Sequence, residues 1–575
     1  MQSPARKVNV TLAACALVAG FCATFGLASV LRGGHATATG NAGSGTVVPS
    51  DPSTTGDPDP ASGQPSPAAL DAQWLAYSDH STCADWAGGD GVSAIRLNSS
   101  QVAWFFADTF LGPAGPTIGF SHLSGFLHNS VVVQTAAGPS SRLVTLTGGG
   151  ACASAGDPGP GAQSVVQPPG AATGQRDWDA DGIRVGNTVV KFYNTYLPGT
   201  IPYIPVGTTI ASFAVSQLSA SGRGPAYGGV LSPSLTRVPP YTPPGGGTPI
   251  VWGSAVLSVG STVYVYGWQS PDPASPLREL YLARAGAGRL TDFAAWQFYS
   301  AGQWAGRQSL ASPIEPSGPD GQPSQSPDVS SGFSVVPIAG RYWLIQAAGA
   351  GDPDIDAYPA PAPWGPFDWA QGIRLFRAPG IGLSPADDYR ILYEARAEPA
   401  LSTSQTLVIS YNVNSEAVTA ACDSMSHYTN AMSQPRFIAV PRSDFDLSGS
   451  RPKPVVAAPA RYPEITQANP AEWSSAWSYP GGCPPVPAVS GVNGSGISVT
   501  GRGVARLAWP AAGLGLRYRV YLMNASGRYV RVTTVWKPQA TVSGLAGGRT
   551  YQFQVVPVNI WGSTGAPADV AVQIP

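Results

Sequence analysis

Charge is scarce in this chain of 575 residues: Asp, Glu, Lys and Arg make up 11%, against about a quarter in an ordinary soluble domain. The 32 basic and 33 acidic side chains nearly cancel, to a formal net charge of −1. No run of Lys and Arg stands anywhere, so the sequence carries no electrostatic footprint for DNA or RNA. Histidine is rarer still, with five in all. No Ser-His-Asp arrangement is readable, no Gly-x-Ser-x-Gly elbow surrounds a serine, and neither a phosphate loop nor a dinucleotide fingerprint occurs. The six cysteines show no Cys-x-x-Cys spacing and no histidine cluster beside them, which argues against a metal site. Gly (69) and Pro (57) are abundant. Both interrupt helices, so a mainly helical protein is excluded. The 16 Trp, 22 Tyr and 17 Phe fall largely in β-like runs, which suits an all-β protein with an aromatic core or a ring-stacking surface.

Near the start stands an uncharged apolar stretch, residues 12–31, preceded by Arg6 and Lys7 and closed by Arg32. Its twenty residues can just span a bilayer, and a signal-peptide core is usually about 7 to 15. An uncleaved anchor with a cytoplasmic N-terminus is the favoured reading. Cleavage near Ala36-Thr37-Ala38 is the alternative, and a lipoprotein box at Leu12-Ala13-Ala14-Cys15 is disfavoured. Each reading puts the remainder outside the cytoplasm. There Cys83, Cys152, Cys422 and Cys483 suggest two disulfides, with three pairings open.

The chain divides into residues 1–32, a disordered linker 33–69, a globular segment 70–483 and a second segment 484–575. In the large segment a turn, a β-run, a short gap and an aromatic β-run recur five times, beginning near Asp90, Asp181, Val251, Ser331 and Ser404. This spacing fits the blades of a five-bladed β-propeller with long loops, and alternation such as Val263-Tyr264-Val265-Tyr266 favours strands. The second segment reads as seven short strands. Trp509 stands as a core tryptophan, and Leu545 with Tyr551 as a tyrosine corner. It resembles a fibronectin type III domain, and no constellation for chemistry falls in it.

With other catalytic sets missing, carboxylates are the chemical candidates, which points to glycoside chemistry. Asp90, in Gly89-Asp90-Gly91, opens one strand, and Asp108, in Ala107-Asp108-Thr109, ends the next. A hairpin through the Leu97-Asn98-Ser99-Ser100 turn brings the two carboxyls together beside Trp104 and Phe110, where burial raises a carboxyl pKa. Asn129, Asp181, Trp252, Tyr411, Asn412 and Arg436 are candidates for substrate contact, Arg436 as a partner for a central carboxylate. Glu315 is a rival general acid. Asp177-Trp178-Asp179-Ala180-Asp181-Gly182 has the Asp-x-Asp-x-Asp-Gly spacing of a calcium loop, although an EF-hand needs Glu where Thr188 stands. No cofactor is required.

The string GGDG…AWFFADTFLG…FLHNSVVVQ resembles the first blade of a family of secreted bacterial propellers long catalogued as a domain of unknown function. It also resembles the endo-D-arabinanases of glycoside hydrolase family 183. VWGSAVLSVGSTVYVYGW, ELYLARA, WQFYSAGQW, GFSVV, WGPF, VISYNVN and PRFIAV carry the likeness through residues 85–445. The resemblance implies a retaining glycoside hydrolase acting on furanose-rich, arabinan-like envelope polysaccharide, with Asp90 as nucleophile and Asp108 as acid/base. Ala107 departs from the Gly usual in the family. The expected protein is a monomer whose partner is a polysaccharide and which meets the membrane only through its N-terminal segment. A non-catalytic glycan-binding propeller is the rival class.

Overall fold

The computed structural model describes residues 66–447 and 488–575, apart from short gaps and the connecting segments 80–84, 115–124, 136–141, 150–161, 198–203, 220–226, 273–277, 315–328, 349–352, 382–389, 416–432 and 559–564. The apolar segment 12–31, Glu315, the boundary at 484 and all six cysteines lie outside the described residues. Among the described residues no helix is long and apolar enough to cross a membrane.

Helix α1 (Pro67–Ser78) begins inside the stretch expected to be linker. Ser66 caps it, accepting the Ala69 N–H at 3.3 Å, and Pro67 sits at its first position, where a missing N–H costs nothing. Its buried Trp74 meets Trp86, Trp104 and Phe106 edge-on at 4.8, 5.3 and 5.2 Å. Everything after it is nearly all β. The chain first forms β1 (Trp86–Gly89), β2 (Ser93–Arg96), β3 (Gln101–Phe106), β4 (Thr109–Leu111), β5 (Gly125–Leu127), β6 (Ser130–Thr135) and β7 (Arg142–Thr147). There follow β8 (Arg176–Val185), β9 (Thr188–Tyr196), β10 (Pro205–Ala214), β11 (Tyr227–Val230) and β12 (Ser234–Val238). Next come β13 (Val251–Val259), β14 (Thr262–Gln269), β15 (Glu279–Gly286), β16 (Gln297–Ser300) and β17 (Gln303–Ala305). The last two groups are β18 (Ser334–Ile338), β19 (Arg341–Ala347), β20 (Asp354–Ala360), β21 (Ile373–Arg377), and β22 (Arg390–Ala397), β23 (Thr406–Ser415), β24 (Arg436–Pro441).

Five sheets result, with strand orders β11-β7-β6-β3-β2, β12-β10-β9-β8, β13-β14-β15-β16-β17, β18-β19-β20-β21 and β22-β23-β24; β1, β4 and β5 make a small sixth. The number of repeats matches the five expected, but two of them start elsewhere. The second sheet begins at Arg176, so Asp177 to Asp181 lie in a strand and not in a loop. The fifth begins at Arg390, and the run expected to open it is its second strand, β23.

The first strands of successive sheets touch in the order β2, β8, β13, β18, β22. Each junction is filled by its own apolar layer. Phe105, Val131, Tyr193 and Phe213 fill the first, Phe192, Trp252, Val263 and Trp296 the second, and Tyr266, Leu282, Phe333 and Leu344 the third. Ile345, Ile355, Leu392 and Ile409 fill the fourth. Trp74, Trp104, Val408 and Phe437 fill the fifth, where the last sheet meets the first. The alternation in β14 follows from this packing: Val263 and Val265 face the second sheet, and Tyr264 and Tyr266 face the fourth. A polar stitch closes the circle. Ala94 N donates to Glu398 Oε2 at 2.8 Å, Ser410 Oγ donates to Glu398 Oε1 at 2.6 Å, and Arg96 donates to the Ala400 carbonyl.

The C-terminal residues form β25 (Asn493–Val499), β26 (Arg502–Ala508), β27 (Arg517–Met523), β28 (Tyr529–Val535), β29 (Gln539–Leu545), β30 (Thr550–Val558) and β31 (Ala568–Gln573). They make two sheets, β25-β26-β29 and β28-β27-β30-β31. Between them lies a separate core of Leu507, Trp509, Tyr518, Leu545, Phe553 and Val555. Tyr551 Oη accepts the Ala546 N–H at 2.8 Å, the bond a tyrosine corner makes.

Burial raises the Glu398 carboxyl from 4.5 to about 8, against the opposing pull of its Ser410 and Ala94 donors. An unfolded chain releases that proton near 4.5, so between 4.5 and about 8 the folded state binds the extra proton and stability falls as pH rises. Glu398→Gln keeps the shape and cannot ionise. We expect its melting temperature to decline less between pH 5 and pH 8.5 than that of the parent; equal declines in the two would refute this reading of the closure.

Candidate active site

The β2–β3 hairpin runs on past its own sheet, and there the two predicted Asp residues stand side by side on neighbouring segments. Ser93 pairs with Phe105 at the inner end of the hairpin, and Gly89 pairs with Thr109 beyond it. Asp90 and Asp108 lie in the interval between, where Asp90 N donates to the Asp108 carbonyl at 3.1 Å and Ala107 N to the Asp90 carbonyl at 2.8 Å. Gly91 follows in the left-handed region, at φ 63°. A Cβ there would stand 2.7 Å from Ala107 Cβ and 2.9 Å from Glu394 Oε2, so the close approach of three chain segments requires glycine.

The two carboxyls have different surroundings. Asp108 Oδ1 accepts Trp178 Nε1–H at 2.7 Å and faces His128 Nδ1 at 3.1 Å. The Trp178 N–H donates here, and His128 donates as well when its Nδ1 carries the proton. Asp90 is buried. Its Oδ2 accepts the Tyr393 hydroxyl at 2.9 Å, and its Oδ1 has no partner among the described residues. Burial, then the neighbouring Asp108 and Glu394, push the Asp90 carboxyl well above the usual carboxylate range; the Tyr393 bond opposes them. Trp178, not Trp104 or Phe110, is the ring beside the pair. Trp104 donates to Gln134 at 2.9 Å under α1, and Phe110 belongs to the layer between the fourth and fifth sheets.

Beside the pair the inner strands gather buried charge. Lys191 Nζ stands 3.0 Å from Asp179 Oδ2 and donates to Ser93 Oγ at 2.6 Å and to the Ala180 carbonyl. Burial raises Asp179 to about 6, with Lys191 pulling it back down. Arg396 is buried, and its Nε and Nη1 have no partner among the described residues.

Of the other sequence candidates, Asn412 has a whole amide group without a partner among the described residues. It stands opposite Tyr393 across the β22–β23 ladder, hence on the same face. Its side chain is 2% exposed, and neither amide atom has a partner among the described residues. The rest require correction. Asn129 is buried with its amide fully engaged: Nδ2 donates to the Val166 and Asp177 carbonyls at 2.8 and 2.7 Å, and Oδ1 accepts the Val166 N–H. Asp181 ties the second sheet to the third, accepting the Gly182 and Val256 N–H groups at 2.7 Å each. Trp252 is wholly buried against Trp296 and Phe298. Tyr411 packs on Phe376 in the layer between the fourth and fifth sheets. The carboxylate that the Arg436 charge favours is Asp71 on α1.

The calcium spacing is likewise taken up by the strand. Asp177 accepts Thr195, Thr209 and Arg237, Asp179 pairs with Lys191, and a bulge between Asp179 and Gly182 turns Asp181 to the next sheet. Among the described residues no group of His, Cys, Asp and Glu could hold a metal. Sequence reasoning missed Trp178, His128, Tyr393 and Glu394 as members of the site. His128 stood next to the wrongly chosen Asn129, and Trp178 was hidden inside the Asp-x-Asp spacing.

An all-β chain whose inner strands converge on a buried carboxylate pair is thus the class defined by these residues. Residues 71–449 match the family described as a domain of unknown function (DUF5005), and the chain belongs to that family. No curated protein matches it in sequence. Among solved structures it is similar to one from Bacteroides ovatus ATCC 8483 described as a "putative hydrolase", at 20% identity over 64% of this chain and 89% of that one, TM-score 0.48. It is also similar to the alpha-L-arabinanase of Cellvibrio cellulosa, at 9% identity over 61% and 91%, TM-score 0.32. A Fn3-like protein from Clostridium thermocellum matches at 26% identity over 16% and 95%, TM-score 0.14.

Asn412→Leu replaces two unmet polar atoms with an apolar group of similar size, a change worth about 1–3 kcal/mol. A melting temperature a few degrees higher in a thermal scan is the expected result; an unchanged or lower one would mean that the amide is already satisfied.

Proposed function

We propose that the chain is an extracytoplasmic glycoside hydrolase, held at the membrane by its N-terminal segment, and that Asp90 and Asp108 are its working carboxyl groups. The five sheets are read as a five-bladed β-propeller and the C-terminal sandwich as a fibronectin type III domain. The observation that carries the reading is the contrast within one contact. Asp108 accepts the Trp178 N–H and faces His128 Nδ1, and Asp90, its neighbour, is buried with its carboxyl pushed well above the usual carboxylate range. One ionised carboxylate beside one carboxylic acid is the pair that glycoside cleavage requires.

These surroundings favour a division of roles opposite to the one the family resemblance implies. Asp90 Oδ2 accepts Tyr393, which leaves the unpartnered Oδ1 to carry the proton. Both donors of Asp108 take Oδ1, which leaves Oδ2 for attack. In the first step Asp108 Oδ2 forms a bond to the anomeric carbon, the glycosidic C–O bond breaks, and the leaving oxygen takes the Asp90 proton. In the second, Asp90 removes a proton from water, the water oxygen bonds to the same carbon, and the ester to Asp108 breaks. Asn412 and the half-buried His128 are the side chains proposed to meet sugar hydroxyls. A furanose-rich, arabinan-like polysaccharide is the proposed substrate, on the strength of the sequence resemblance.

Incubation with D-arabinan, L-arabinan and arabinogalactan, with product size as the readout, tests the activity. Asp90→Asn and Asp108→Asn should each lose roughly 10³-fold in turnover and stay folded. Azide added to Asp108→Ala should give a glycosyl azide of inverted configuration, and added to Asp90→Ala one of retained configuration. The opposite stereochemistry would restore the roles implied by the resemblance. Full activity in either Asn variant would remove the pair from the chemistry.

A further inference from the structure

Glu394 has three features that its place in a strand does not require. Its backbone lies at φ 48°, in the left-handed region that a residue with a side chain rarely adopts. It falls where the β22–β23 ladder breaks register, between Tyr393 and Arg396, so a bulge re-aims its side chain. It is 4% exposed, and its Oε2 has no hydrogen-bond partner among the described residues. That oxygen lies 2.9 Å from where a Cβ on Gly91 would stand, hence against the residue that follows Asp90, and the preceding residue, Tyr393, holds Asp90 Oδ2. Strain, a bulge and an unmet buried carboxylate oxygen converge on one point, the back of the carboxylate pair.

We propose that Glu394 is a positioning residue that acts through Asp90: a third carboxylate, set against the pair, which keeps the proton on Asp90. This rests on the reading of Asp90 as the acid. Three carboxyls this close cannot all ionise. Burial disfavours the charge on Asp90, and a charge on Asp108 or on Glu394 makes its ionisation harder still. The groups that face Glu394 come from three sheets: Arg396 on its own strand, Asp179 and Lys191 from the second sheet, and Asp108 from the first. Tyr196 and Asp90 also feel its charge. Burial raises Glu394 to about 7, Asp179 and Asp108 adding to the rise and Arg396 and Lys191 opposing it.

The test follows the Asp90 carboxyl by ¹³C NMR titration in the full chain, assigned by its loss in Asp90→Asn. Glu394→Gln should lower the pH at which Asp90 ionises by roughly one unit, because a like charge has gone. Glu394→Gly suits the left-handed backbone, so it should raise the melting temperature by a few degrees while moving Asp90 in the same direction. Glu394→Asp, which keeps the charge, should leave Asp90 high. With a glycan that is turned over, the basic limb of kcat/KM should shift down with Asp90 in the Gln variant, and KM should change little. A folded Gln or Gly variant in which Asp90 ionises where it did before would overturn the proposal. The titration is read without substrate, so a parent protein that cleaves no glycan would refute the hydrolase reading and leave this test standing.

Discussion

The architecture depends on one constraint: β14 and the strands packed like it bury apolar side chains on both faces. In β14 the valines and the tyrosines alternate, and both sets need burial. A two-layer sandwich hides one face of each sheet, whereas sheets packed successively face to face hide both, provided that the last meets the first. The chain completes that meeting with apolar groups under α1 and with the bonds that Glu398 makes to Ala94 and Ser410. Trp74 matters to the same end. It covers Trp86, Trp104 and Phe106 at the junction, so α1 is part of the closure.

Five junctions filled with apolar side chains leave little room for polar ones except on the inner strands. Lys191, Arg396, Asp179, Glu394 and Glu398 are therefore gathered there out of the reach of water, and the carboxylates outnumber the cations. Burial raises all three carboxyls, Asp179 to about 6, Glu394 to about 7 and Glu398 to about 8. The raised carboxyls of the candidate site are thus a consequence of how the sheets pack, and Asp90 is the member that lies next to a second carboxyl, Asp108, which accepts the Trp178 N–H. Ala107 fits the same way. Its methyl occupies the space that a side chain at Gly91 would need, so an alanine at 107 is tolerated only because 91 is glycine.

Much of this was legible in the residues. Period-two alternation and the abundance of Gly and Pro specify an all-β chain, and recurrence sets the number of sheets. The separation of Asp90 from Asp108 around a turn at Leu97-Asn98-Ser99-Ser100 specifies a hairpin, and a hairpin of that length returns the chain to the carboxylate it left. These properties are local: they depend on side-chain periodicity and on the reach of a short loop, and both can be counted along one strand or one turn. Tyr393 and Glu394 lay beyond that method because β22 falls outside the recurring pattern, and a bulge with a left-handed residue has no signature in a single sequence. Asn129, Asp181, Trp252, Tyr411 and Arg436 stand at strand ends where a ligand contact and a structural bond use the same side chains. Only the neighbouring sheet decides between the two uses, and it supplied backbone N–H and carbonyl groups for Asn129 and Asp181 and aromatic rings for Trp252 and Tyr411. The sequence by itself determined which carboxylates would meet, because that needs one hairpin. Which of them keeps its proton was decided by the tertiary structure, because desolvation and the fields of Trp178, His128, Tyr393 and Glu394 reach the pair from three other sheets or loops.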